Sequence, residues 1–401
     1  MASLDLTSFD ASLKYLYTED IVEDLVYKNN PFFAMVKKNS NVGGKSYVVP
    51  VVYGHGQGRS AAFATAQTNA SAGLIDDFVI TFTRNYGVCT IDNLTIQASK
   101  GNKKAFMEAT KFQIDSTLKN VGRDISRSLF GDGSGAIGQV NNGSYATTNL
   151  DLVLDDDVVN FEKDMIITVS ADKTSAVRSG TLTVSSVNRT ATSNQVVTSA
   201  NLSTGISAIA QNDYIFVQGD YGAKMSGLGA WIPVTAPTAT TFFGVNRSTD
   251  ATRLGGLRYV GTGKTKEEAL IDAEALLSRE DGAPDVCFMN PLDLKDLKKE
   301  LGSRVSTEPQ KVGSFSFEAV MMHGTNGMIK VIAERNCPRG YAYLITLDSW
   351  ELISVGEPVA KFDEDGLTSL RQATSDGIEI RITSYCQLAC HAPGWNAVIT
   401  L

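Results

Sequence analysis

Apolar positions alternate with a period of two along Tyr47-Val48-Val49-Pro50-Val51-Val52-Tyr53 and again along Phe78-Val79-Ile80-Thr81-Phe82-Thr83-Arg84, which predicts two strands. Between them, Gly54 to Gly73 is mostly Gly, Ala, Ser, Thr, Gln and Asn, too poor in large apolar groups to pack on itself. About 20 structureless residues inside a compact domain would be unusual. The spacing therefore predicts a long two-stranded tongue projecting from the body. Because an isolated hairpin is marginal in water, such a tongue needs a neighbour to lie on.

The period then lengthens. From about Lys103 to Phe130, Met107, Ile114, Leu118, Val121, Ile125 and Leu129 recur at spacings of three, four or seven, the signature of one helix face. At 1.5 Å per residue the helix would be roughly 38 Å long, a structural spine. Lys119, Arg123 and Arg127 form an opposite stripe that reads as a solvated face. The helix stops at the breaker Gly131-Asp132-Gly133-Ser134-Gly135. Beyond it, to about Tyr221, short strands at Met165–Val169, Gly180–Val184, Gln195–Val197 and Tyr214–Val217 suggest a small inserted sandwich or barrel.

Mixed α/β pattern returns from there to about residue 345. Thr265-Lys266-Glu267-Glu268 has capping-box spacing and opens a helix through Leu270, Ala273 and Leu277, closed by Asp281-Gly282. The strand Val286–Met289 runs into Asn290-Pro291, where Asn suits the N-cap and Pro the first helical position of a helix carrying Leu294, Leu297 and Leu301. Strands follow at Met328–Ile332 and Tyr341–Ile345, and the alternating Ile378–Thr383 is expected to return to a sheet beside the spine. The first 45 residues hold short amphipathic pieces at Leu13–Leu16 and Ile21–Val26, then Pro31-Phe32-Phe33. They read either as a flexible terminus or as an arm burying its aromatics against another subunit.

Composition fits this outline. The 401 residues allow two or three compact units, and 43% hydrophobic with 20% charged residues is ordinary for a folded chain. The start, Met1-Ala2-Ser3-Leu4-Asp5, lacks a secretion signal's basic stretch and apolar core, and no apolar run approaches the ~20 residues of a membrane span. The expectation is a protein made and used in a cytoplasm, without membrane association. Cys89, Cys287, Cys337, Cys386 and Cys390 are odd in number and scattered, so they imply no disulfide framework. A net charge of -8 argues against a dedicated nucleic-acid reader, which would carry a basic face. It does not exclude a container whose wall holds DNA loosely.

Candidate chemistry is thin. Gly261-Thr262-Gly263-Lys264-Thr265 resembles a phosphate loop, but Arg258 stands where that motif needs glycine, and a turn into the capping box explains it. Gly133-Ser134-Gly135 is no nucleophile elbow, since Asp132 precedes it. Only His55, His323 and His391 could serve as bases, and nothing in the sequence places them in one pocket. Cys386, Cys390 and His391 match no zinc spacing, and Asp155-Asp156-Asp157 lacks the glycine and distal glutamate of a calcium loop and reads as a solvated turn. No catalytic, cofactor-binding or metal-binding residue is assigned, and no cofactor is expected. A glycan-binding or hydrolytic protein would need paired carboxylates or an aromatic platform, and Trp231, Trp350 and Trp395 lie far apart in sequence.

The order of arm, tongue, spine helix, inserted β domain, α/β domain and returning sheet resembles the tailed-bacteriophage major capsid proteins of the Hong Kong 97-type (HK97-like) fold. Leu129–Gly135, Gly227–Pro233, Gly244–Ser248 and Phe288–Pro291 look like segments recurring in that family. The resemblance implies an α+β fold with these parts: an N-terminal arm (1–45), an extended loop across an adjacent subunit (46–98), the spine of a peripheral domain (99–130), an inserted β-rich domain (131–221), an axial α/β domain (222–345) and returning peripheral strands (346–401). It further implies a structural subunit, not an enzyme, that self-assembles into hexamers and pentamers of an icosahedral shell around double-stranded DNA. By the same resemblance its partners would be copies of itself, portal, scaffolding and decoration proteins, and DNA contacted without sequence preference. Its place would be the virion, after assembly in the cytoplasm of a bacterial host. The rival with a similar fold is an encapsulin, a nanocompartment shell enclosing enzyme cargo; the inserted β domain favours the phage reading.

Overall fold

The computed structural model describes residues 30–93, 103–190, 193–312, 315–325, 327–361, 370–372 and 376–401. The amphipathic pieces at Leu13–Leu16 and Ile21–Val26 lie outside them, as do residues 94–98 of the expected extended loop. The chain divides into two compact units, one made of Met1–Phe130 with Trp231–Leu401 and one of Gly131–Ala230. The second unit thus runs past the expected boundary at 221.

In the first unit, helix α1 (Lys103–Ser128) is the predicted spine. Ile114, Leu118, Val121 and Ile125, with Leu129 just beyond its end, are all buried. Each such burial is worth roughly 1.5–3 kcal/mol. The helix lies on strands Thr83–Asp92 and Gly377–Cys390, which pair antiparallel. Its approach is close enough to require glycine in the sheet, because a Cβ on Gly87 would stand 2.6 Å from Val121 Cγ2. Near the end of the helix Arg127 is not a free cation: it pairs with Asp124 at 2.6 Å, and Asn85 Nδ2 of the underlying strand also donates to that carboxylate. Lys119 is exposed.

Gly377–Cys390 organises a six-stranded sheet, pairing also with Trp350–Ser354, Ala360–Lys361 and Leu370–Arg371. The sheet ends in Lys37–Asn39, parallel to Trp350–Ser354. For the described residues 30–39 this differs from both readings of the N-terminal region, a flexible terminus or an arm buried against another subunit, while residues 1–29 lie outside the described residues. From residue 30 onward the region belongs to the chain's own core, with Phe32 and Phe33 fully buried and Phe32 against Phe130 and Phe288 at 5.5 and 5.2 Å between centroids.

A seven-stranded mixed sheet follows, in the order Leu257–Val260, Ala397–Thr400, Tyr341–Ile345, Val286–Met289, Met328–Ala333, Phe315–His323, Ser306–Val312. One face carries α2 (Lys266–Arg279) and α3 (Pro291–Leu301), whose Leu270, Ala273, Leu277, Leu294 and Leu297 join Cys287, Met289, Val331 and Leu344 in one cluster. Both predicted starts form: Thr265 and Glu268 make the reciprocal capping box, and Asn290 Oδ1 accepts from the Leu292 N–H ahead of Pro291. Two features differ from expectation. Ala397–Thr400 sits inside this sheet, not with the peripheral strands, because its apolar Ala397, Val398 and Ile399 are buried between Leu257–Val260 and Tyr341–Ile345. The hairpin of Ser306–Val312 with Phe315–His323 was not predicted, since Ser306-Thr307-Glu308-Pro309-Gln310-Lys311 is a polar edge strand without an apolar rhythm.

The second unit is a small barrel. Strands pair in the order Ala136–Gln139, Tyr214–Val217, Ile166–Ser170, Leu182–Thr190, Ser193–Thr198, Asn149–Leu150. A Val140–Leu152 bridge, with the Asn141 N–H donating to Asp151 O and the Val153 N–H to Gln139 O, joins the last strand's continuation to the first. The ring therefore closes on itself, which leaves no long free edge to template pairing with other chains. Its interior is Ile137, Leu150, Phe161, Ile167, Val169, Leu182, Val184, Val196 and Ile215. Both ends of the unit meet, through the Asp132–Ser226 bridge and a Gly227 N–H to Gly131 O bond of 3.1 Å.

Candidate functional site

The tongue is a two-stranded ribbon, Ser46–Gly54 antiparallel to Leu74–Thr81, with one short helix, Phe63–Thr68, near its tip. The register explains why both faces are apolar. Val49 pairs with Phe78 and Tyr47 with Ile80 on the inner face, where Val49, Val51, Phe78 and Ile80 are buried. Val48 pairs with Val79 and Val52 with Ile75 on the outer face, where these four are 43–58% exposed. Leu74 is half exposed and Phe63, on the tip helix, is 82% exposed. A stripe of large apolar side chains on the solvent face of a ribbon marks a surface meant to be covered.

The root of the ribbon is fixed to its own body. Phe78 packs on Trp231 and Phe242 at 5.0 and 6.4 Å between centroids, and the Val79 N–H donates to Phe243 O at 2.9 Å. Arg253 Nη1 donates to Tyr53 O at 2.9 Å, so both strands are held. Behind this cluster Arg247 lies 4.1 Å from the Phe242 centroid and donates from Nη1 to Trp231 O. Burial, helped by the nearby charge of Arg258, lowers Arg247 to about 10, which still leaves it charged at neutral pH. At the other end of the root, buried Glu351 gathers Lys37 at 3.5 Å, Tyr47 Oη at 3.4 Å and His391 Nε2 at 3.4 Å. Burial first, and then Glu351, raises Tyr47 above the usual phenol range. Sequence reasoning did not find this carboxylate, because nothing in Trp350-Glu351-Leu352 distinguishes a buried Glu from an exposed one.

The residues tested for chemistry are dispersed. Gly261 follows a strand, Leu257–Val260, but Lys264 is engaged by Asp272 and the Tyr259 hydroxyl, not aimed at a ligand. Ser134 donates to Asp132, whose other oxygen pairs with Lys173. His55 stands on the tongue, His323 at the end of the strand Phe315–His323 next to the edge of the seven-stranded sheet, and His391 beside Glu351. All five cysteines are buried and free, and burial pushes Cys386 up to about 11 and Cys390 to about 12, unreactive ranges. Asp155–Asn160 forms a 3-10 turn, not a fully solvated one: Asp157 is half-buried, and burial with the charge of Asp156 raises it to about 7. Trp231 and Trp350, distant in sequence, do meet at 6.4 Å, but both are fully buried and donate to Leu388 O and Asn396 Oδ1, so they build core and not a glycan platform. Among the described residues, no three His, Cys, Asp or Glu side chains are grouped to hold a metal. Among the same residues, no helix is long and apolar enough to cross a membrane.

Tongue, spine helix, six-stranded sheet, helix-covered mixed sheet and inserted barrel together define the α+β fold of the HK97-like shell proteins. The backbone is similar to that in the capsid asymmetric unit of cyanophage A-1(L), with a TM-score of 0.51 and 12% identity over 92% of each chain. More distant are the SrpI encapsulin of Synechococcus elongatus PCC 7942, TM-score 0.47 and 8% identity over 100% of this chain and 96% of that one, and Mycobacterium phage Ogopogo, TM-score 0.41 and 9% identity over 93% and 92%. No protein-family model matches the sequence, and no curated protein matches it.

Proposed function

We propose that this chain is the major capsid protein of a tailed bacteriophage, a non-enzymatic subunit whose copies form hexamers and pentamers of an icosahedral head around double-stranded DNA. The observation that carries the reading is the outer face of the tongue. A ribbon rooted firmly in its own body yet presenting Val48, Val52, Ile75 and Val79 to solvent gains stability when another copy covers it. The acidic balance of the chain suits an inner wall that touches DNA without gripping it. In the same reading the axial domain (222–345) packs around capsomer axes, and portal, scaffolding and decoration proteins are the other partners. The protein works in the virion and assembles in the cytoplasm of its bacterial host, with no membrane role.

The test is electron microscopy and sedimentation of the expressed full chain. Pentamers, hexamers or closed shells are expected, and deletion of Gly54 to Gly73 should leave the subunit folded while blocking shell formation. A stable monomer under all assembly conditions would overturn the proposal. Shells that package a host enzyme in place of nucleic acid would transfer the reading to an encapsulin.

A further inference from the structure

Pro291, Leu294, Lys295, Lys298 and Lys299 recur along α3 at spacings of one, three or four, so they share one side of the helix. With Ala333, at the end of strand Met328–Ala333, they line a groove of about 500 Å³. Its floor is apolar, since Leu294 is buried there, while Lys295 and Lys299 are exposed at the rim and Lys298 is half-buried. Lys295 pairs with Asp296 and Lys298 with Glu318, both at 3.2 Å and in contact with solvent, and Lys299 forms no ion pair among the described residues. Exposed pairs of this kind contribute little, so another carboxylate can replace either partner at small cost.

The described chain begins beside this groove. The Phe32 N–H donates at 3.3 Å to Oε2 of Glu334, the residue after Ala333, and Asn336 Nδ2 donates to Asn30 Oδ1 at 3.4 Å. The sequence just ahead, Glu19-Asp20-Ile21-Val22-Glu23-Asp24-Leu25-Val26, carries four carboxylates, four branched aliphatic side chains and no cation. From Val26 to Asn30 the chain spans at most about 13–14 Å, so whatever fold this stretch takes, it starts within reach of Ala333 and α3.

We propose that residues 19–26 dock in this groove on their own subunit, with their aliphatic side chains against Pro291, Leu294 and Ala333 and their carboxylates against Lys295, Lys298 and Lys299. An apolar floor rimmed by cations suits an acidic amphipathic segment, which uses both features. A phosphate backbone would use the lysines and leave the floor wet. Docked in this way, the segment belongs to the subunit that carries it and is not lent to a neighbouring copy. The inference concerns the subunit itself and stands whether or not the chain builds a shell.

Zero-length carbodiimide coupling of the full chain, on a mixture of isotope-labelled and unlabelled copies, tests it. Mass spectrometry should find amide links from Glu19, Asp20, Glu23 or Asp24 to Lys295, Lys298 or Lys299, each joining two peptides of the same label. Hydrogen exchange gives a second readout. In the double variant Lys295→Glu, Lys299→Glu, protection of the 21–26 amides should fall roughly tenfold while Val286–Met289 in the sheet stays level, and it should return when Glu23→Lys and Asp24→Lys are added. Links between labelled and unlabelled peptides would move the segment to a neighbouring copy, and links only to other lysines would place it elsewhere. Either result, the absence of any link, or charge reversal that leaves exchange unchanged would overturn the docking.

Discussion

The ring of Phe78 meets that of Trp231 at 5.0 Å between centroids and an interplanar angle of 53°, which ties the tongue to the body at one fully buried contact. Truncating it leaves a cavity beneath the ribbon, and Phe to Ala at such a site costs about 3–5 kcal/mol. Phe78→Ala should therefore lower the unfolding free energy by that order in urea titrations. It should also speed exchange of the Val79 amide, which donates to Phe243 O.

The outer face answers to different physics. Val52 and Ile75 pair across the ribbon and are each 58% exposed, so a charge there meets water and not core. The double substitution Val52→Asp, Ile75→Asp should change subunit stability by no more than about 1 kcal/mol, the scale of two surface substitutions with like charges placed opposite. Burying two carboxylates under a neighbouring copy is far more costly, so shell formation should be lost. Sedimentation of the variant beside the parent separates the two effects, and intact shells would remove this face from assembly.

Much of the architecture was legible because it rests on local periodicity. The spine's three-four spacing from Ile114 to Leu129, the Thr265 and Asn290 caps and the alternation at Tyr47 to Tyr53 are each decided by nearby residues, and each forms as read. What the sequence hid depends on contacts distant along the chain. Glu351 and Glu334 look like surface glutamates until the fold closes over them, and the meeting of Trp231 with Trp350 spans more than a hundred residues. The N-terminal aromatics carried an ambiguity of the same kind. Phe32 and Phe33 announced burial but not whose core would receive them, and it is the chain's own. The outer stripe of the tongue is the exception: its apolar alternation was visible, yet only the register of Val48 with Val79 reveals that the stripe faces solvent.

The inserted unit should fold alone. Its core is drawn from its own strands, the ring of pairing is closed, and its ends lie together at Asp132 and Ser226. Local closure of this sort lets a domain be cut out without exposing a sheet edge. A fragment spanning Gly131–Ala230 should give dispersed amide spectra and a single cooperative melt. A fragment that is unfolded, or that melts without cooperativity, would show that the barrel depends on the rest of the chain.

Asp157 gives that barrel a pH dependence of known sign. Burial, reinforced by Asp156, raises its carboxyl from 3.8 to about 7, so the folded unit holds the proton more tightly than the unfolded chain does. Stability from this group is fully present below about pH 3.8, declines as pH rises through the interval and is lost above about 7. Asp157→Asn removes the ionisation while keeping the shape, so it should raise the melting temperature at pH 8 and leave it nearly unchanged at pH 4. Calorimetry of the full chain and its variant at the two pH values reads the difference directly. An equal shift at both would place the effect in packing and not in the buried charge.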